Sequence, residues 1–422
     1  MKDRTNQPAV KTIQNIHFVE PRKIEIAEDT TLYWVNEVMD ETFRMELHFN
    51  AGTIKSEMKI AGITNTLLFS GTSTKTSFQI NEELDSLGAF IDQEIGQETA
   101  IVSIYCLKNV AEKVIEIILD SLQNVSFNEH ELADTLREKK QQFLIGSEKV
   151  SMLARREFQK RFFTNSEAYS RQISIDDYEK INRSMLVDFH AQNYLHGLRK
   201  IVIVSAVDQE LIDTVCNKLK PFANNQKTTF ENTFINEKGH FHVNKEGALQ
   251  TAIRMGLPLF NKTHNDFIDF QILQTILGDY FGSRLMSNIR EDKGYTYGIG
   301  TGVSESHLTG YFIIATEVGQ KFVEPTLNEI KYEFDRLKHE EVPLEELNLV
   351  KNYLLGQLLK SADGPNAMMD LYMNIQLHGL GFDYFEAFIK RVNAITSKDL
   401  IHIANKYLQF ENFTIITAGS SN

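Results

Sequence analysis

Two stretches of this chain, about one domain apart, end alike. Ile181-Asn-Arg-Ser-Met-Leu186 leads through a helical stretch to Tyr194-Leu195 and the β-branched strand Lys200-Ile-Val-Ile-Val-Ser205. Ile395-Thr-Ser-Lys-Asp-Leu400 leads in the same way to Tyr407-Leu408 and the strand Phe413-Thr-Ile-Ile-Thr417. A helix-strand unit recurring at that distance marks a duplicated fold. At 422 residues the chain also exceeds what one hydrophobic core normally serves. The expected plan is an N-terminal domain over 1–220, a linker over 221–242 and a C-terminal domain over 243–422. The linker begins at Pro221, and its stretch to Thr233 has little periodicity and few large aliphatic residues.

Local patterns give the class of each half. Thr42-Phe-Arg-Met-Glu-Leu-His-Phe49 alternates as a strand does, and Ala100-Ile-Val-Ser-Ile-Tyr-Cys-Leu107 is an apolar strand run. Asn128, with Glu131 three residues on, resembles a capping box opening a helix through Leu132 and Leu136. Asp266 is placed to cap a helix bearing Phe267, Phe270, Leu273, Ile276 and Leu277, with Gly278 as its terminator. Strands mixed with helices in both halves indicate α+β domains, each a mostly antiparallel sheet with helices packed on one side.

Composition excludes several classes of function. A net charge of −13 disfavours nucleic acid and anionic membranes as partners. The N-terminus lacks the apolar stretch of a signal peptide and no apolar run is long enough to span a bilayer, so a soluble, cytoplasmic protein is expected. Cys106 and Cys216, the only cysteines, read as core residues of a strand and a helix. Among the 12 histidines, His240 and His242 share a strand face and His130 lies on the wet side of a helix. None falls in a His-x-x-Glu-His or His-Glu-x-x-His arrangement, and all three read as solvated side chains.

One segment carries a positive signal, Ser283-Arg-Leu-Met-Ser-Asn-Ile-Arg-Glu-Asp-Lys-Gly-Tyr-Thr-Tyr297. Ser283 is read as capping a short helix with Leu285 and Ile289 inward. Gly294 ends it, and a strand returns from Tyr295 to Val303. Helix end and strand start then lie side by side, which brings the guanidinium of Arg290 and the phenol of Tyr297 toward one cleft. The plainer reading is an Arg complementing a helix dipole and a Tyr packing on its strand. Gly298, Gly300 and Gly302 strip side chains from the strand that follows. They mark either an edge open to an added peptide or a bulge or crowded crossing.

Taken together, these segments resemble the pitrilysin/insulinase family of metallopeptidases, specifically the shorter bacterial members related to mitochondrial processing peptidase. In that family Gly-Leu-Ala-His-x-x-Glu-His-x-x-Phe-x-Gly-Thr holds the zinc. Here the frame reads Lys59-Ile-Ala-Gly-Ile-Thr-Asn-Thr-Leu-Leu-Phe-Ser-Gly-Thr72. Gly62, Asn65 and Thr66 stand where the family has its first His, its general-base Glu and its second His. The later Glu-x6-Glu, counted from Phe127-Asn-Glu-His-Glu-Leu132, becomes Thr135 and Gln142. Zinc needs about three His, Cys or carboxylate ligands, so the resemblance implies no metal in this chain.

The resemblance implies a zinc-free subunit that completes the active site of a His-x-x-Glu-His partner, the zinc being in that partner. Arg290 and Tyr297 are then catalytic in trans, binding a substrate carbonyl or the oxyanion, and peptides or unfolded segments are cleaved in a closed chamber. The competing reading is an inert structural or peptide-binding homologue, comparable to the respiratory-complex core subunits. The glycine-rich loop of the mitochondrial noncatalytic subunit has no counterpart beyond Leu277-Gly-Asp-Tyr-Phe-Gly-Ser283.

Overall fold

The computed structural model describes residues 13–224 and 234–421. The central part of the expected linker, 225–233, lies outside the described residues.

Two sheets carry the same wiring. The first contains β1 (Arg22–Ala27), β2 (Thr30–Val35), β3 (Thr42–Phe49), β4 (Phe90–Ile95), β5 (Ala100–Leu107) and β6 (Leu198–Val204), in the order β1-β2-β6-β3-β5-β4. The second contains β7 (Gly239–Asn244), β8 (Gln250–Leu259), β9 (Thr296–Glu305), β10 (Gly310–Gly319) and β11 (Thr414–Gly419), in the order β7-β11-β8-β10-β9. In each, the last strand in sequence enters the interior of its sheet. β6 runs parallel to β2 and antiparallel to β3, as β11 runs parallel to β7 and antiparallel to β8. The helices Arg183–Asn193 and Ser397–Tyr407 that precede these two strands are the repeated units read from the sequence. The expected α+β class with two homologous halves is what the topology shows.

By contacts, the described residues of 19–258 and 414–421 form one compact unit, and 259–413 with the described residues before Val19 form another. In the first unit, alternation along β3 turns Phe43, Met45, Leu47 and Phe49 to a core shared with Val114, Ile115 and Ile118 of helix Ala111–Asn124 and Ile212 and Val215 of helix Gln209–Leu219. Its other face carries Arg44, Glu46 and His48, and Arg44 and Glu46 are also buried. Burial alone would raise the Glu46 carboxyl; hydrogen bonds and charge from His48 and Arg44 outweigh it and hold it at about 2. In the second unit, Phe270, Phe312, Phe334 and Phe413 form a chain of ring contacts with centroid separations of 5.3, 6.1 and 5.5 Å.

Three expected helix ends change here, the first being Gly278, which does not terminate its helix but lies inside a π-helical continuation over Thr275–Asp279. The Asp266 side chain caps no helix; it accepts from Lys406 Nζ and Tyr407 Oη, both at 2.6 Å. Asn128 does cap its helix, accepting from the His130 amide at 2.8 Å, but Glu131 accepts from Ser77 Oγ at 3.1 Å and closes no capping box. Cys106 is buried and Cys216 half-buried, both as free thiols.

In the first unit, helix Val150–Phe162 packs on β11, and Gly256 of β8 admits it. A Cβ there would lie 2.3 Å from Phe158 Cζ and 3.2 Å from Phe162 Cε2. Both rings are fully buried and stack at 4.7 Å, so neither yields cheaply. Gly256→Ala is therefore expected to destabilise the protein by about 1–3 kcal/mol, read as a lower urea midpoint. An unchanged midpoint would show that the aromatic pair is free to move.

Candidate functional site

The frame around Gly71-Thr72 has a local cause. Helix Ile60–Thr66 ends in a series of turns, and Gly71 then takes a φ of +122° that disfavours any side chain. Its carbonyl accepts from the Ser126 amide at 2.9 Å, and Thr72 Oγ1 accepts the amides of Thr74 and Lys75 at 3.2 and 3.1 Å. Ile63 of the short helix and Leu67 at its C-terminal end share a buried cluster with Leu132 of helix Glu129–Ser147, and Leu136 packs against it. All five positions that the resemblance assigns to the metal site thus lie on two helices joined by one apolar patch.

Three of these side chains are otherwise engaged. Asn65 is 3% exposed; its Oδ1 accepts from Tyr194 Oη at 3.0 Å and its carbonyl from Gln93 Nε2 at 2.6 Å. Burial pushes the Tyr194 phenol upward, so it stays protonated and remains the donor. Thr66 Oγ1 donates back to the Gly62 carbonyl at 3.0 Å, and Gln142 Nε2 donates to Glu138 Oε1 at 2.7 Å. Thr135 is half-buried on the same helix. A neutral set of Gly, Asn, two Thr and Gln does not fit zinc. Among the described residues no group of three His, Cys, Asp or Glu side chains is placed to hold a metal. His240 Nε2 and His242 Nδ1 approach one hydroxyl, Thr417 Oγ1, at 2.9 and 3.0 Å, and His130 is exposed.

The Arg-Tyr segment is more sharply built than its sequence suggests. The helical turn at Arg284 and Leu285 continues as a π-helix over Met286–Asp292, a form that concentrates at functional sites. Leu285 and Ile289 are fully buried beneath it, as expected. Ser283 is not a side-chain cap, since its buried Oγ has no partner. Fixed pairs hold the turn instead. Arg284 makes two 2.9 Å bonds to the Glu346 carboxylate, Asn288 Nδ2 donates to Glu329 and Glu333 at 3.1 and 2.7 Å, and Lys293 lies 3.0 Å from Glu329. Gly294, at φ +63°, turns the chain into β9.

At the start of β9 the pairing with β10 slips. Thr296 faces Val318 and Ile299 faces Thr316, so Tyr297 and Gly298 stand opposite Glu317 alone. This is a β-bulge, a device that re-aims a side chain. Thr316 Oγ1 pins it by donating to the Gly298 carbonyl at 2.9 Å. Tyr297 emerges 89% exposed, and the Arg290 guanidinium lies 5.2 Å from its ring centre and 4.9 Å from that of Phe281. Phe281 is itself 62% exposed. The structure therefore brings Arg290 and Tyr297 together and adds Phe281, which the sequence reading passed over. An aromatic residue in the Asp279-Tyr-Phe-Gly282 turn, just ahead of the segment, was the available signal. Arg290 has no carboxylate within ion-pair distance among the described residues, so its charge is available to a ligand.

Beyond the bulge, β9 is the last strand of its sheet, with β10 on one side. Gly298 has open space where a Cβ would go, and at Gly300 and Gly302 the nearest atoms are 3.9 Å away. Crowding therefore does not demand these glycines. Gly298 belongs to the bulge, while Gly300 and Gly302 leave one face of a regular edge strand bare.

Comparison with known proteins places these features in a family. Residues 31–168 match the model described as Insulinase (Peptidase family M16), and residues 180–354 match that of the Peptidase M16 inactive domain. An uncharacterized zinc protease of Rickettsia bellii is 26% identical over 72% of this chain and 73% of its own. The mitochondrial-processing peptidase subunit beta of Saccharomyces cerevisiae is 23% identical over 84% and 81%. The crystal structure of a peptidase M16 inactive domain from Pseudomonas fluorescens superposes with a TM-score of 0.85 at 22% identity, covering 96% of this chain and 99% of that one.

Proposed function

The chain belongs to the insulinase family, peptidase family M16, and we propose that it is the non-zinc-binding subunit of a heterodimeric zinc endopeptidase acting on peptides or unfolded segments. A non-catalytic peptidase-family subunit is the coarser form of this reading. The observation that carries the finer form is the Arg290 guanidinium, without an ion-pair partner among the described residues, held against the exposed Tyr297 ring on a chain whose residues at the family's metal positions are neutral. A chain with no use for proteolysis has little reason to keep a cation and a phenol side by side on a bulge and a π-turn.

In this reading a His-x-x-Glu-His homologue supplies the zinc and the water it activates. An extended peptide adds to the bare edge at Gly298, Gly300 and Gly302, where backbone pairing fixes its register. Tyr297 Oη then donates to the scissile carbonyl as negative charge gathers on its oxygen, and Arg290 holds the oxyanion or a neighbouring carbonyl. The homologous halves take the limits 1–220 and 243–422 around a 221–242 linker. The complex closes into a chamber, and the work is done in the cytoplasm. Among the described residues no helix is long and apolar enough to cross a membrane.

The test is peptide hydrolysis by this chain alone, by its nearest His-x-x-Glu-His homologue alone, and by the two mixed. Turnover confined to the mixture, with zinc in the homologue, is the expected outcome. No turnover in any mixture would overturn the reading and leave an inert structural or peptide-binding homologue.

A further inference from the structure

We propose that the cavity beside Gly62 is a binding site for a multiply charged oxyanion. The cavity measures about 340 Å³, and its wall includes Lys59, Gly62, Arg155, Gln159, Tyr169 and Arg171, with no Asp or Glu in the lining. Such a wall is unexpected in a chain whose 57 acidic residues outnumber its 44 basic ones.

The internal partners of these cations do not neutralise them. Lys59 and Arg155 form no ion pair among the described residues, and neither does Lys139, which adds its charge to the field at Lys59. Arg171 Nη1 donates to the Ser56 carbonyl at 2.5 Å, and its nearest carboxylate, the exposed Glu167, lies 4.0 Å from Nη2. Tyr169 gives its hydroxyl to Glu98 at 2.6 Å. Behind the wall Arg156 donates to the Ile173 carbonyl at 2.9 Å and lies against the Phe143 ring. Partial burial, and then the charges of Arg155, Arg156 and Lys139, lower the proton affinity of Lys59. Like charges held around one cavity cost folding energy unless something outside the chain neutralises them.

The cluster fixes the chemistry of what it binds. Three lining cations match an anion of more than one charge, and guanidinium forks suit the paired oxygens of carboxylate or phosphate. A metal ion is disfavoured by the same charges. Two sources present this chemistry, a free phosphate chain and neighbouring carboxylates of an acidic peptide. The site needs neither a partner subunit nor Arg290 and Tyr297, so it stands or falls separately from the shared-active-site reading.

The test is calorimetric titration of the whole chain at low salt with inorganic tripolyphosphate and, separately, with a tetraglutamate peptide and its glutamine counterpart. One tripolyphosphate per chain is expected, with affinity falling steeply as salt rises. Lys59→Gln and Arg155→Gln should each weaken it about tenfold, the loss of one charged hydrogen bond, while Lys390→Gln, outside the lining, leaves it unchanged. Both side chains keep contact with solvent at the cavity mouth, and melting curves of the variants check that the fold is intact. Tetraglutamate competing with tripolyphosphate would assign the site to peptide carboxylates; tripolyphosphate binding alone would assign it to free phosphate. No binding of either probe, or equal binding by the variants, would overturn the proposal.

Discussion

Under the proposed shared site, a Tyr297→Phe chain mixed with a His-x-x-Glu-His homologue should hydrolyse peptide about 10²–10³-fold more slowly than the parent mixture, the usual effect of removing one donor to an oxyanion. The loss belongs in kcat, because the bond strengthens only as charge develops on the carbonyl oxygen. Tyr297 is 89% exposed, so losing its hydroxyl leaves stability almost unchanged, and zinc in the partner is untouched. Arg290→Ala should fall by a similar factor. Arg290→Lys should recover only part, since an ammonium keeps the charge without the planar stacking between Phe281 and Tyr297. Equal turnover by the parent and Tyr297→Phe mixtures would remove the phenol from the chemistry, and a matching drop in melting temperature would turn it into a structural residue.

The second large effect concerns the opposite experiment, installing the family's zinc ligands at the aligned positions. A Gly62→His, Asn65→Glu, Thr66→His chain is expected to bind no stoichiometric zinc and to lose about 3 kcal/mol or more of stability. Asn65 is 3% exposed and accepts from a buried phenol, so Glu in its place puts a longer, charged side chain where a neutral amide is already satisfied. Gly62 has room for a side chain, and that single step is sterically free. The third ligand is still missing, because Thr135 and Gln142 offer no carboxylate, and Lys59 and Arg155 raise the cost of a divalent cation beside Gly62. Metal analysis of the purified variant and its urea midpoint decide the matter. One zinc per chain at an unchanged midpoint would mean the inherited site is dormant and not dismantled.

The repeat was legible in the sequence because Tyr-Leu followed by a β-branched run records a helix handing over to an interior strand, and an interior strand tolerates little polarity. The assignment of Gly62, Asn65, Thr66, Thr135 and Gln142 to a metal-free frame rests on residue type, and the structure puts all five on two adjoining helices. What escaped were features set by single hydrogen bonds or by distant segments. Nothing in Tyr297-Gly298 announces a bulge, since its signature is a slipped partner on β10. Neither does Met286–Asp292 announce a π-helix, whose wider turn is held by buried Leu285 and Ile289 and by Asn288 reaching Glu333. Ser283 and Asp266 have the right residue type for caps, yet tertiary partners or burial claimed them. Lys59 and Arg155 come together only through folding, as they are almost 100 positions apart.

The place of the last strand in each sheet bears on how the protein is made. β6 enters between β2 and β3, and β11 enters between β7 and β8. Each sheet therefore has a gap in its interior until the ribosome has delivered the strand that fills it. For the second sheet that strand is Thr414–Gly419, all six residues buried. A stalled or prematurely terminated product that stops before Thr414 would expose an unfilled slot flanked by two strands with free backbone donors and acceptors, a ready target for quality-control proteases or for a strand borrowed from another copy.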